Sequence, residues 1–285
     1  MSDFEILNDA FRAILRPDSA VRKLAGDLRF TEGPVWIPTG GYLLFSDIPA
    51  NRIYCWRPGE GLSIWREPTG NANGNTLDRQ GRLVTCEHST RRVTRTEPDG
   101  TITVLATHYR GKRLNSPNDV VVQSDGTIWF TDPPYGIKPE EIEQPRNYLF
   151  RLDPDGTLMA VADDFDRPNG LCFSPDETRL YVADSSARHH VRVCDVRPDK
   201  TLANCRVFAV IEPGAPDGMR VDTAGRLYST AGDGVHVYAP DGTLLGKILV
   251  PERPANCAFG DADRRTLYIT ARTSLYAIAL AAEGA

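Results

Sequence analysis

The sequence predicts an all-β chain folded as a six-bladed β-propeller, and three observations carry that expectation. A short apolar strand recurs six times, the recurrences are spaced as blades are, and Asp-Gly turns punctuate the segments between them. The first three strands are Tyr42-Leu43-Leu44-Phe45-Ser46-Asp47, Arg82-Leu83-Val84-Thr85-Cys86-Glu87 and Thr127-Ile128-Trp129-Phe130-Thr131-Asp132. The others are Arg179-Leu180-Tyr181-Val182-Ala183-Asp184, Arg226-Leu227-Tyr228-Ser229-Thr230-Ala231 and Thr266-Leu267-Tyr268-Ile269-Thr270-Ala271.

Taken from Leu43, Leu83, Ile128, Leu180, Leu227 and Leu267, the steps are 40, 45, 52, 47 and 40 residues. Turns at Asp99-Gly100, Asp125-Gly126, Asp155-Gly156 and Asp241-Gly242 join strands of β-branched and aromatic residues, the chemistry of antiparallel hairpins rather than crossover helices. Six four-stranded units of this kind can close radially around a channel and leave only short edges.

Residues 1–27 lie outside the repeat. There Phe4, Ile6, Leu7, Ala10, Phe11 and Leu15 fall at roughly helical spacing, which predicts a short amphipathic helix as an N-terminal extension to a propeller spanning 28–285. No linker marks a second domain.

Composition narrows the function. Of 285 residues, 41% are hydrophobic and 25% charged, ordinary for a globular chain with a sizeable core, and the net charge of -5 gives no basic face for nucleic acid. Arg91, Arg92 and Arg95 read as a solvated strand edge. The six cysteines form no C-x-x-C pair and have no histidine at zinc-finger spacing, so all are expected to be reduced and partly buried. No signal-like start and no run of about 18 apolar residues occurs, which predicts a cytoplasmic protein without a membrane partner, acting as a monomer or homodimer.

Ten or eleven residues before the second residue of each recurring strand stands a polar residue: Glu32, Asn73, Asn118, Asn169, Asp217 and Asn256. Gly33, Gly74, Gly170 and Gly218 follow four of them, and Asp119 and Cys257 the other two. Equivalent register in equivalent blades brings equivalent atoms to one axis. Turn chemistry explains Asn, Asp and Gly at one or two strand starts, but not a glutamate among six, and converging carboxylates repel unless compensated. Carboxylate and amide oxygens without Cys or His suit a hard divalent cation, Ca²⁺ first, with Zn²⁺, Mn²⁺ or Mg²⁺ able to use the same oxygens.

Two further places attract attention. His88, after Glu87 at a strand end, can face the pocket and bind substrate hydroxyls. The 52-residue step holds Pro133-Pro134-Tyr135-Gly136-Ile137-Lys138-Pro139, followed by Glu140, Glu141 and Glu143; this is expected to be a loop over the pocket, with Tyr135 touching substrate.

With these residues in hand, the chain resembles the SMP-30/gluconolactonase/regucalcin family, in particular its bacterial gluconolactonase branch, over roughly residues 28 to 281. The resemblance rests on Phe30-Thr31-Glu32-Gly33-Pro34-Val35-Trp36, Ser116-Pro117-Asn118-Asp119, Trp129-Phe130-Thr131-Asp132-Pro133-Pro134-Tyr135-Gly136, Arg167-Pro168-Asn169-Gly170 and Pro216-Asp217-Gly218-Met219. It implies a metal held by Glu32, Asn169 and Asp217, with Asn118 beside or on it, and leaves Asn73 and Asn256 as supports or substrate contacts. Ser116 stands where the animal branch carries a sugar-contacting arginine, and Arg113 is the nearest residue that could substitute.

The reaction so implied is metal-dependent hydrolysis of a sugar lactone such as glucono-1,5-lactone to the aldonic acid. Asp217 is expected both to ligate the ion and to accept a proton from the attacking water. A phosphotriesterase or arylesterase at a like calcium site, and a non-catalytic binding propeller, are the alternatives. The sequence has no G-x-S-x-G elbow and no H-E-x-x-H pair.

Overall fold

A computed structural model describes residues 3–285. Six antiparallel sheets stand around a central axis, and the six recurring strands are the second strands of the six blades. Each blade begins with an inner strand: Thr31–Ile37, Ala72–Leu77, Val120–Val122, Pro168–Phe173, Met219–Val221 and Asn256–Gly260. Every inner strand touches those of both neighbouring blades, so the six form a closed circle.

The core lies between blades rather than inside one. In one cluster Tyr228, Val235, Val237 and Ile248 of blade five face Cys257, Leu267, Ile269 and Tyr276 of blade six. Each sheet buries both faces, which is why the second strands read as nearly continuous apolar runs instead of a clean alternation.

The N-terminal segment contains the short helix expected there, but flanked by two strands. Its helical part is a six-residue 3₁₀ turn, Asp9–Ile14, whose Asn8 side chain accepts from the Ala10 N–H at 2.9 Å. Phe4–Ile6 pairs with Leu244–Leu249 as a fifth strand of blade five, and Arg22–Ala25 pairs with Ser274–Ala279 as the outer strand of blade six. The propeller thus reaches upstream of residue 28. A strand from the start of the chain completes the blade built from its end, and Phe11 and Ile14 are buried against both blades. A 3₁₀ turn suffices because the two flanking strands already fix the segment.

The cysteine expectation is corrected. Cys194 and Cys205 form a disulfide, while Cys55, Cys86, Cys172 and Cys257 are free and buried. The bonded pair sits on adjacent strands of blade four, where a register shift between Val193↔Arg206 and Asp195↔Ala203 brings the two side chains opposite each other. Spacing along the chain carries no such information, since hairpin register decides it. Among the described residues no helix is long and apolar enough to cross a membrane.

Candidate functional site

The six polar residues stand where the inner strands begin, and neighbouring blades bond through them. Asn73 Nδ2 donates to Asn118 Oδ1 at 2.6 Å, Asn118 Nδ2 to Asn169 Oδ1 at 2.5 Å, and Asn256 Nδ2 to Glu32 Oε2 at 2.9 Å. Glycine follows four of them for a packing reason. A Cβ on Gly33 would strike the Asn73 carbonyl, on Gly74 that of Asn118, on Gly170 that of Asp217, and on Gly218 the Asn256 side chain. Each glycine lets its strand press on the ring residue of the next blade.

Side chains from the second strands hold this circle. Ser46 Oγ donates to the Asn73 carbonyl at 2.7 Å and Thr131 Oγ1 to that of Asn169 at 2.8 Å, each across to the next blade. Acids ending the second strands catch the backbone leading to the ring: Asp47 accepts from the Arg29 and Phe30 N–H groups, Asp132 from Asn115, and Asp184 from Asp166 and Arg167. Buried amides that would otherwise be orphaned are paired in this way.

The ring is electrostatically tense. Burial, then the Asp119 charge, pushes Glu32 up to about 7. Burial, then the Glu32 charge, raises Asp217 well above the ordinary carboxylate range. Both shifts are what carboxylates show when like charges share a desolvated site. Asn73 Oδ1 is buried without a hydrogen-bond partner. No three His, Cys, Asp or Glu side chains cluster at ion-binding distance among the described residues, so amides would have to complete any ligand set. Two carboxylates, amide oxygens with a spare lone pair and an orphaned acceptor make a donor set that fits a hard divalent cation.

Above the ring opens a cavity of about 310 Å³, lined by Glu32, Asn73, Asn118, Asn169 and Asp217 together with Phe30, Ile48, His88, Tyr135 and Ser185. His88 Nε2 lies 3.1 Å from Asn73 Nδ2 and 3.3 Å from Asn118 Oδ1, and burial lowers its pKa to about 4, so the ring is neutral near pH 7. Tyr135 lies in the loop over the cavity; its hydroxyl is buried, makes no close hydrogen bond and has Ser185 and Asn169 as polar neighbours, and burial with the Asp217 charge pushes it up to about 12. The loop is anchored by the Gly136 N–H donating to Ser116 Oγ at 3.0 Å.

Two expected substrate contacts stand elsewhere. Arg113 is not in the cavity wall; its guanidinium donates to the Thr90 carbonyl at 3.1 Å and its N–H to Glu143 at 2.9 Å, so it fastens the rim. Its backbone pairs with His108 in a two-stranded hairpin outside the blades, which holds it away. Asn256 is nearly fully buried beside Glu32 and also lies outside the wall, so it touches the carboxylate rather than the space above.

Sequence reading passed over Phe30, Ile48, Ser185 and Asp119. Ser185 directly follows Asp184 at a second-strand end, the position His88 takes after Glu87, and that repeat equivalence could have found it. A larger cavity of about 430 Å³ opens at the other end of the inner strands, beside Trp36, Phe173, Phe259 and Arg220, but contains no ring residue.

Known proteins bear on this geometry. Residues 30–273 match the SMP-30/Gluconolactonase/LRE-like region. A gluconolactonase of Zymomonas mobilis is 37% identical, with 91% of this chain and 81% of that protein covered. A pentonolactonase of Haloferax volcanii is 33% identical over 85% of this chain and 81% of its own length. The solved gluconolactonase of Xanthomonas campestris superposes with a TM-score of 0.93 at 40% identity, covering 98% and 95% of the two chains. A calcium-binding regucalcin of Agrobacterium tumefaciens, at 19% identity and TM-score 0.79 over 94% and 96%, shares the fold. The chain belongs to the SMP-30/gluconolactonase/LRE-like family.

Proposed function

We propose that this lactone-hydrolysing enzyme opens sugar lactones of the glucono-1,5-lactone type to aldonic acids, using one divalent cation, Ca²⁺ by preference, held by Glu32, Asn118, Asn169 and Asp217. The observation that carries the reading is the meeting of two mutually repelling carboxylates, buried Glu32 and half-buried Asp217, with amide oxygens at the floor of the cavity. The lactonase names of the similar proteins supply the substrate class, and a calcium-binding protein of the same fold agrees with the ion.

When bound, such an ion supplies Lewis-acid polarisation of an ester carbonyl. The chain's own residues then divide the remaining work. Asp217 accepts the proton of the attacking water as the water oxygen bonds to the carbonyl carbon. The ring C–O bond breaks, and the proton passes to the departing oxygen, leaving a carboxylic acid and a hydroxyl. Tyr135, Ser185 and neutral His88 offer hydrogen bonds to sugar hydroxyls, and Asn73 joins them from the floor. Phe30 and Ile48 give the wall its apolar part. So many polar groups around one small space suit a hydroxyl-rich lactone better than an aromatic ester.

The test is hydrolysis of glucono-1,5-lactone before and after exhaustive chelation, with Ca²⁺ restored, beside parallel assays on paraoxon and phenyl acetate. Loss on chelation, recovery with Ca²⁺ and preference for the lactone are expected. Full activity in metal-free protein, or faster turnover of either aromatic ester, overturns the reading.

A further inference from the structure

Directly beneath the ring, Asp119 occupies a position at which four other blades carry glycine. Its carboxylate is 2% exposed; Oδ1 accepts from the Val120 N–H at 2.9 Å, Oδ2 is buried and makes no close hydrogen bond, and the Asn256 side chain and the Leu171 N–H also approach the carboxylate. The nearest cation is Arg220, on the inner strand of blade five, with Nη1 4.0 Å from Asp119 Oδ2 and a side chain 19% exposed. Arg220 also borders the cavity at the opposite end of the channel. The guanidinium therefore meets Asp119 from the side of the opposite cavity and does not line the cavity above the ring.

The 4.0 Å approach of the Arg220 guanidinium to a carboxylate 2% exposed, one residue after Asn118 of the ring, sets a fixed positive charge against the negative side of the site. Three carboxylates stand at this end of the channel, Glu32 and Asp119 buried and Asp217 half-buried, with Arg220 beside Asp119 and the Arg253 charge acting on Asp217. Without Arg220 the buried Asp119 carboxylate would lose its nearest cation, at a place where burial makes an uncompensated charge costly.

We propose that Arg220 is a built-in counter-ion of the channel: through Asp119 it sets how strongly the ring attracts a divalent cation, making the metal-free protein foldable at the expense of affinity. This rests on the reading that the ring binds such an ion. Arg220 is a positioning and charge-balancing residue, since it touches neither the cavity above the ring nor a substrate.

The sign of the effect separates this role from simple packing. A residue that merely supports the site weakens metal uptake when it is removed, whereas an opposing charge strengthens it. Calcium titration calorimetry on metal-stripped full-length protein reads that sign directly, with melting temperature as a second measurement. Arg220→Gln should bind Ca²⁺ roughly tenfold more tightly, the scale of one unit charge acting across a partly buried site. The same variant should melt lower than wild type when metal-free. Asp119→Asn should bind about tenfold more weakly, the double variant should return towards wild type, and Arg220→Lys should stay within about threefold because the charge is kept.

Ca²⁺ affinity in Arg220→Gln that is unchanged or weaker overturns the proposal. If that variant fails to fold, Asp119→Asn and Arg220→Lys decide: unchanged affinity in the first, or a large gain in the second, overturns it equally. Wild-type protein that takes up no divalent cation removes the metal reading itself, an outcome seen before any variant is made.

Discussion

Asn256 donates from Nδ2 to Oε2 of Glu32 at 2.9 Å, joining two residues that are 224 positions apart and belong to the last and first blades. The bond fixes one carboxylate oxygen, which also accepts from the Gly33 N–H at 2.6 Å, and leaves Oε1 for the cavity floor. Partners that orient a ligand are worth about 10- to 100-fold in metal affinity. Asn256→Ala should therefore weaken Ca²⁺ binding about tenfold in calorimetry while circular dichroism stays unchanged. Wild-type affinity in that variant would show that Glu32 needs no help to hold its rotamer.

Asp217 is assigned the proton of the attacking water. Asp217→Asn should lower kcat by about 10³-fold, within the range expected for a general base, and some metal should remain bound. A single turnover in ¹⁸O-water separates general-base catalysis from a covalent route. Label confined to the product acid supports the base, and label recovered in the Asp217 side chain identifies a nucleophile.

Tyr135 presents the cavity with a buried hydroxyl that makes no close hydrogen bond in the protein, with Ser185 and Asn169 as its polar neighbours. An unpaired buried donor is costly, and a substrate hydroxyl can satisfy it. Tyr135→Phe should raise KM for the lactone about three- to tenfold and leave Ca²⁺ affinity alone, as measured by steady-state kinetics beside calorimetry. Unaltered kinetics would mean that the ring covers the pocket without binding substrate.

Glu252 ties the start of blade six to its own third strand. It accepts from the Thr273 N–H at 3.0 Å, Thr273 Oγ1 at 2.8 Å and Tyr276 Oη at 2.9 Å, as well as from Ser274 Oγ, and Lys23 of the outer strand lies at 3.5 Å. Partial burial opposes ionisation, but hydrogen bonds from Ser274, Thr273 and Tyr276 outweigh it and hold the carboxyl down at about 2. A depressed carboxyl stabilises the fold above its unfolded pKa, about 4.5, and the contribution disappears as pH falls towards 2. Glu252→Gln should melt about 2–4 °C lower at pH 7, with the gap from wild type closing in scans between pH 4.5 and 2. A constant gap across that window would show that the carboxyl acts through packing alone.

Much of this protein is legible in its sequence because a repeat repeats its physics. Six apolar second strands, Asp-Gly hairpins and one polar residue at a fixed offset yield six blades and the ring from Glu32 to Asn256. The fold follows because strand period and turn chemistry are local, and the ring follows because equal register in equal blades puts equal positions on one axis. The glycines beside the ring are visible too, although their purpose is close approach between blades rather than turning.

Tertiary structure alone decided whatever depends on the residues facing a side chain across blades or loops. Arg113 and Tyr135 both lie near the mouth along the chain, yet hairpin pairing turns Arg113 to the Thr90 carbonyl while the loop lays Tyr135 over the cavity. Cys194 meets Cys205 only through a shifted strand register. Phe4 and Ile6 fit a helical pattern and a strand equally well, and the free edge of blade five settled the matter by pairing with them. Asp119 and Arg220, separated by about a third of the chain, acquire their meaning when ring closure brings two inner strands to the same axis. Such contacts are set by the closure of the whole propeller, a non-local constraint that no window of sequence contains.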